Sequence, residues 1–175
     1  ATPNPSFYDA SKRILDLAFS SFALVICSPL MAVLALVLFV WGGRPILFIQ
    51  VRPGLGGRPF RLVKFRTMRG LPDKKVLDES NRVTRIGKFL RSTSLDELPS
   101  LWNVMRGDLS FVGPRPLLME YLPFYSTEHA KRHTVRPGLT GLAQVSGRNT
   151  LSWYRRLELD VHYVKMRNFA LDGEI

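Results

Sequence analysis

The stretch ILDLAFSSFALVICSPLMAVLALVLFVWGG, residues 14–43, carries a single charge, Asp16, and has Ser28-Pro29 near its middle. A spanning helix needs about 20 uninterrupted apolar residues to cross a hydrocarbon core roughly 30 Å thick, and neither half of this stretch supplies them. Pro29 has no N–H for the carbonyl four residues back and its ring crowds that turn, so the helix is expected to kink there. The Ser28 hydroxyl can bond a freed carbonyl, which makes such a break tolerable in lipid. Cations flank both ends: Lys12 and Arg13 precede it, and Arg44, Arg52, Arg58, Arg61, Lys64, Arg66 and Arg69 follow with no acidic residue among them. Under the positive-inside tendency both ends belong on the cytoplasmic face. The expectation is a re-entrant membrane helix over residues 11–43, broken at Ser28-Pro29, that enters and leaves on one side. The competing reading is an ordinary kinked transmembrane helix. A cleaved signal peptide fits worse, because the run exceeds the usual apolar h-region and no small-residue cleavage site ends it before Trp41.

Of the 175 residues, 44–175 remain for one soluble domain, enough for a single packed core. The formal net charge of +11 implies acidic partners: anionic membrane lipids, nucleic acid or a phosphorylated substrate. Nucleic acid is set aside, since there is no zinc-finger spacing, no RNP-like aromatic strand and no basic region leading into heptads. The single cysteine, Cys27, lies inside the apolar run, so no internal disulfide is available.

Residues 45–51 (PILFIQV) and 59–65 (PFRLVKF) read as strands, and the Gly- and Pro-rich residues 52–58 between them as a turn, giving a β-hairpin. Residues 70–81 are polar and unpatterned, a loop. Helical periodicity returns over 83–90, from about Asp96 to Met105, and over 117–132 with Pro123 splitting the last. Residues 136–149 (RPGLTGLAQVSGRN) are too rich in Gly and Pro for a long element and are expected to form an ordered functional loop. From 152 to about 167 the pattern is an amphipathic helix, with Trp153, Leu157, Val161 and Val164 near one face; core packing and a membrane-interface position are both open. The fold class is α+β, mainly helical.

Chemistry concentrates in residues 91–99 (RSTSLDELP), followed by Gly113-Pro114-Arg115-Pro116. Ser94 and Glu97 satisfy a capping box, and acidic residues suit a first helical turn, so Asp96 and Glu97 can be read as helix starters. Pro99 moves the start to about Asp96. The same helix N-terminus also attracts phosphate, so a carboxylate nucleophile there would meet a phosphoryl group partly neutralised. Lys64, Arg91 and Arg115 could complete that neutralisation if the fold gathers them. His129 and His133 do not match a zinc-protease pattern and read as surface histidines, while Asp160 and His162 stay open between packing and substrate contact.

Residues 64–68 (KFRTM), 94–99 (SLDELP), 101–105 (LWNVM), 107–116 (GDLSFVGPRP) and 135–141 (VRPGLTG) together resemble the bacterial sugar transferase family, the monotopic phosphoglycosyl transferases. The match runs from about Lys12 across nearly the whole chain. The resemblance implies a re-entrant helix broken at Ser28-Pro29 and a compact catalytic domain on the cytoplasmic face of a bacterial inner membrane. It implies transfer of a sugar 1-phosphate from a UDP-sugar to polyprenyl phosphate, with UMP released. Asp96 would be the nucleophile, Glu97 its dyad partner, and Mg²⁺ a cofactor held by Asp96 and Glu97. Lys64, Arg91 and Arg115 would bind substrate phosphate, with Gln144 and Arg148 weaker candidates for nucleotide or sugar. Residues 116–125 and 147–149 look most like members of the diacetylbacillosaminyl-phosphate transferase type, which use N-acetylated amino-dideoxy sugars. Relatives usually continue further, which implies a C-terminal membrane-contacting element beyond Ile175. The alternative from another class is a non-catalytic, basic membrane-surface module that binds phosphorylated lipids.

Overall fold

The computed structural model describes residues 7–68, 82–147 and 150–175. A long helix α1 (Phe7–Gly42) leads into a hairpin of β1 (Leu47–Pro53) and β2 (Pro59–Phe65), then α2 (Arg85–Ser92) and a 3-10 helix (Leu95–Ser100) that runs into α3 (Leu101–Arg106). Next come β3 (Ser110–Val112), the short helix α4 (Thr127–Ala130), β4 (Gly138–Thr140) and α5 (Leu142–Val145). Two helices, α6 (Trp153–Met166) and α7 (Phe169–Glu174), close the chain. The mainly helical α+β expectation holds.

Helix α1 is continuous through Pro29 and does not divide into two elements. The reason is local. Pro29 cannot serve the carbonyl four residues back, that of Val25, and Ser28 Oγ donates to that same oxygen at 2.8 Å. Only 6% of its most apolar 18-residue window is buried, so it is not the core helix of a soluble domain. Both ends nevertheless dock on the rest of the molecule. Near the N-terminus Arg13 donates to the carbonyls of Val104 and Met105, and Asp16 Oδ1 accepts from the Phe111 N–H. Near the C-terminus Leu38 is buried with Phe65 and Leu90, flanked by Met31, Leu34 and Ala35. Between Ser20, which is buried, and Met31, no residue is buried.

The hairpin forms as expected, with strand β1 extending two residues further, through Arg52 and Pro53, into antiparallel register with Phe60 and Pro59. Strand β2 alternates: Phe60 and Leu62 join Val104 and Leu109 in one apolar cluster, while Phe65 anchors the other. On the edge of β2 away from β1, side chains stand in for a third strand. Asn103 accepts from Val63 N–H through Oδ1 and donates to the Arg61 carbonyl through Nδ2, and Ser100 Oγ donates to the Val63 carbonyl at 2.7 Å. Buried backbone groups must be paired, and these two side chains do it.

Three expectations change. The single helix from about Asp96 becomes a 3-10 helix followed by α3, because Ser94 sits at φ 57 with no side-chain cap, so the capping box does not form. Residues 117–132 are not a split helix; Met119–Phe124 and Lys131–Thr134 are 3-10 turns around the one-turn α4. Within 136–149, β4 pairs in parallel with β3, a second small sheet that periodicity did not reveal. That pairing brings Gly113 against Gly138, where a Cβ on Gly138 would meet Gly113 N at 2.2 Å. Only glycine allows two backbones so close. On α6, Leu157, Val161, Tyr163 and Val164 are buried, so this face is core packing. The 70–81 stretch lies outside the described residues.

Candidate functional site

The 3-10 helix is clamped to the edge of β2 by Ser100 and Asn103, and this docking sets Asp96 and Glu97 beside Lys64 of the strand. Glu97 Oε1 accepts from Lys64 Nζ at 2.6 Å and from Arg115 Nη2 at 2.8 Å. Burial pushes the Glu97 carboxyl upward, but Arg115 and Lys64 together overcome it and hold its pKa below the usual range. Glu97 is therefore an ionised hub that fixes two cations.

Asp96 is different. It makes no ion pair among the described residues and is served by its own backbone N–H. Burial raises its pKa, opposed by Lys64, while the neighbouring Glu97 charge adds to the rise and Arg91 opposes it. An anion with lone pairs uncommitted and incomplete solvation is a better nucleophile than one locked in a salt bridge. Arg91 lies within electrostatic reach of Asp96 and is steered by Thr67 Oγ1, which accepts from its Nε at 2.9 Å.

A cavity opens beside these groups, with Lys64, Glu97 and Arg115 on one side and Leu109, Leu117 and Leu139 among its apolar walls. Lys64, Glu97 and Arg115 line this cavity; Asp96 and Arg91 do not, but Lys64, Glu97 and Arg91 all act electrostatically on Asp96, so the fold gathers the five. Gln144 is not among them: its Nε2 donates to the Leu139 carbonyl at 2.8 Å, which supports the loop behind the cavity. Arg148 lies outside the described residues. Among the described residues no group of three or more His, Cys, Asp or Glu could hold a metal by itself. Of the expected pair, Asp96 has coordination sites to spare while Glu97 Oε1 is already taken. Such a donor set fits Mg²⁺ only as that ion commonly binds, through one or two carboxylates plus substrate phosphate oxygens.

Sequence reasoning missed three supporting residues, Asn103, Arg132 and Arg52, and left a fourth, Asp160, open between packing and substrate contact. Asn103 sits in the quoted LWNVM run but its strand-mimicking role needs the fold. Arg132 and Asp160, 1% and 4% exposed, form a buried ion pair at 2.6 Å, and Arg132 also donates to the Arg115 carbonyl at 2.6 Å. The signal was there: Asp160 lies at helical spacing among Leu157, Val161 and Val164, where a charge needs a buried partner. Arg52, third, lines the cavity. His133, expected at the surface, is half-buried against Tyr125, and burial followed by nearby Arg132 pushes its pKa down to about 4, so it stays neutral.

A family model described as bacterial sugar transferase matches residues 7–175. The chain is 49% identical over 166 residues to the uncharacterized sugar transferase EpsL of Bacillus subtilis, covering 94% of this chain and 82% of that protein. It is 41% identical over 179 residues to a UDP-glucose:undecaprenyl-phosphate glucose-1-phosphate transferase of Caulobacter vibrioides, covering 95% and 67%. A protein of the same name in Klebsiella pneumoniae is 40% identical over 176 residues, but there the match covers 38% of the longer relative.

Proposed function

Because the chain belongs to the bacterial sugar transferase family, we propose that it moves a sugar 1-phosphate from a UDP-sugar to polyprenyl (undecaprenyl) phosphate, with release of UMP, through a covalent intermediate on Asp96. It is a membrane-associated phosphoglycosyl transferase. The observation that carries the reading is the division of labour in the dyad: Glu97 Oε1 takes both Lys64 and Arg115, and Asp96 makes no ion pair among the described residues.

In the first step an Asp96 carboxylate oxygen attacks the β-phosphorus, the bond from that phosphorus to the bridging anhydride oxygen breaks, and UMP carries the electron pair away. In the second, a phosphate oxygen of the polyprenyl phosphate attacks the same phosphorus, and the acyl-phosphate bond breaks to restore the carboxylate. Lys64 and Arg115, prepositioned by Glu97, neutralise the phosphoryl oxygens without having to reorganise during the reaction. Arg91 screens the approach of the two anions to each other. Asp96, with Glu97 beside it, would hold Mg²⁺, which would supply further charge neutralisation.

The helix reading that goes with this is re-entrant, on the cytoplasmic face of the inner membrane. Both ends of α1 dock on the same body, and the undocked stretch of residues 21–30 is about 15 Å long at 1.5 Å per residue. Entering and leaving on one face, a stretch of that length dips at most about 7 Å into a hydrocarbon core of about 30 Å and does not cross it.

The test is to mix the membrane-reconstituted protein with UDP-sugars and Mg²⁺ and no acceptor. One of the sugars should give a burst of about one UMP per enzyme, with a sugar-phosphate adduct on the peptide bearing Asp96, and Asp96→Asn should give neither. A non-catalytic lipid-binding module would release no UMP from any donor.

A further inference from the structure

We infer that Arg52 is a substrate-phosphate ligand, a third cation of the cavity whose counter-charge arrives with the substrate. The inference rests on the transfer reading above and adds a binding residue to it.

Arg52 lies near the end of β1, where the register Phe48↔Lys64 and Arg52↔Phe60 puts it on the same hairpin face as Lys64. Its Nε and Nη2 donate to Gln50 Oε1 at 3.1 and 2.6 Å, and Nη1 to the Pro116 carbonyl at 3.3 Å. Gln50, two residues back on the same strand face, and the carbonyl next to Arg115 thus aim the guanidinium into the cavity that Lys64, Glu97 and Arg115 also line.

The charges do not balance there. Three cations line the cavity against one carboxylate, and Glu97 Oε1 is committed to Lys64 and Arg115. Among the described residues Arg52 hydrogen-bonds only neutral oxygens, and it stands close enough to Arg115 to be repelled by it. A partly buried guanidinium facing a like charge, with no acid to offset it, is costly unless an anion settles between the two. The Leu62, Leu109, Leu117 and Leu139 walls keep the local dielectric low and strengthen that attraction. A guanidinium fork suits a phosphate oxygen pair. The ligand chemistry is a phosphoryl group, from the donor diphosphate or from the acceptor monophosphate.

The experiment uses the full chain in lipid nanodiscs, as wild type, Arg52→Lys and Arg52→Gln. Burst UMP release is titrated with UDP-sugar in the absence of acceptor, then steady-state turnover is titrated with polyprenyl phosphate at saturating donor. The expected result is a rise of roughly ten- to a hundredfold in one half-saturation constant for Arg52→Gln, smaller for Arg52→Lys, with the burst amplitude preserved at saturation. A donor shift identifies the diphosphate as the ligand, and an acceptor shift the monophosphate. If Arg52 merely ties the hairpin to the 113–116 loop, amplitude and thermal stability fall while both constants stay put, and the inference is overturned. Unmoved constants with a normal wild-type burst overturn it alone; no burst in the wild type overturns the transfer reading and this inference together.

Discussion

Two adjacent carboxylates, Asp96 and Glu97, are pushed in opposite directions by their surroundings, and that contrast assigns their roles. Two cations hold Glu97 ionised, whereas burial raises Asp96. Since the folded pKa of Asp96 lies above that of an unfolded aspartate, the native state binds this proton more tightly than the unfolded chain does. The ionised side chain therefore costs stability at neutral pH, and the cost disappears as pH falls through the raised value. Asp96→Asn should thus be inactive yet melt at a higher temperature than wild type at pH 7.5, with the gap closing on acidification. Paired thermal unfolding at pH 7.5 and below the raised value measures it, and equal melting temperatures at pH 7.5 would contradict the assignment. A site residue whose removal stabilises the fold is the mark of a group placed for chemistry. At this scale the sequence singled out Lys64, Arg91, Asp96, Glu97 and Arg115, because charge next to a helix start and the family motifs both point to them. Gln144 stayed a weak candidate, since an amide that props a loop looks the same in sequence as one that contacts a ligand; the fold shows its Nε2 propping the Leu139 carbonyl.

Among the elements, β2 and α6 do the positioning. Asn103 and Ser100 close the edge of β2, so the 3-10 helix bearing the dyad can sit only in one register against Lys64. Asn103→Ala should leave two buried backbone groups unpaired, at about 1–3 kcal/mol each, lowering both melting temperature and turnover. Asn103→Asp keeps the acceptor for Val63 N–H but sets a carboxylate against the Arg61 carbonyl and Asp108 Oδ2, so a denaturant titration should show no recovery over Asn103→Ala. Helix α6 acts through the Asp160–Arg132 pair, which reaches the Arg115 backbone. Asp160→Leu alone strands a buried arginine and should cost about 3–5 kcal/mol; the double variant Asp160→Leu with Arg132→Met should regain most of that stability. Turnover should stay low in the double variant, because the bond to the Arg115 carbonyl is gone. Equal recovery of stability and turnover would assign the pair to folding only. The hairpin was legible from two strand-like runs around a Gly- and Pro-rich turn and α6 from period-3.6 patterning, whereas the β3/β4 pair was not, since strands of three residues carry no usable period.

The whole molecule is a polar catalytic body gripping both ends of an apolar helix. Arg13 and Asp16 fasten one end through hydrogen bonds to α3 and β3, and Leu38 fastens the other through the Phe65 and Leu90 cluster. In a Cys27→Ser background, single cysteines placed at Ser11 and Arg44 should both be shielded from an impermeant reagent applied outside intact cells, and both react once the membrane is opened. Labelling of just one from outside would make α1 a spanning helix. The apolar run, its flanking charges, the hairpin and the acidic dyad were all determined by the sequence, because each is a local pattern, whereas the break expected at Ser28-Pro29 is not seen and α1 runs through it. What only the tertiary structure decided is which charges meet: that Glu97 and not Asp96 takes Lys64 and Arg115, that Asn103 serves as a strand edge, that Arg132 finds Asp160, and that Arg52 lines the cavity beside Lys64 and Arg115. The physical reason is that pairing between side chains far apart in the chain depends on backbone docking at ångström precision, which no local periodicity encodes.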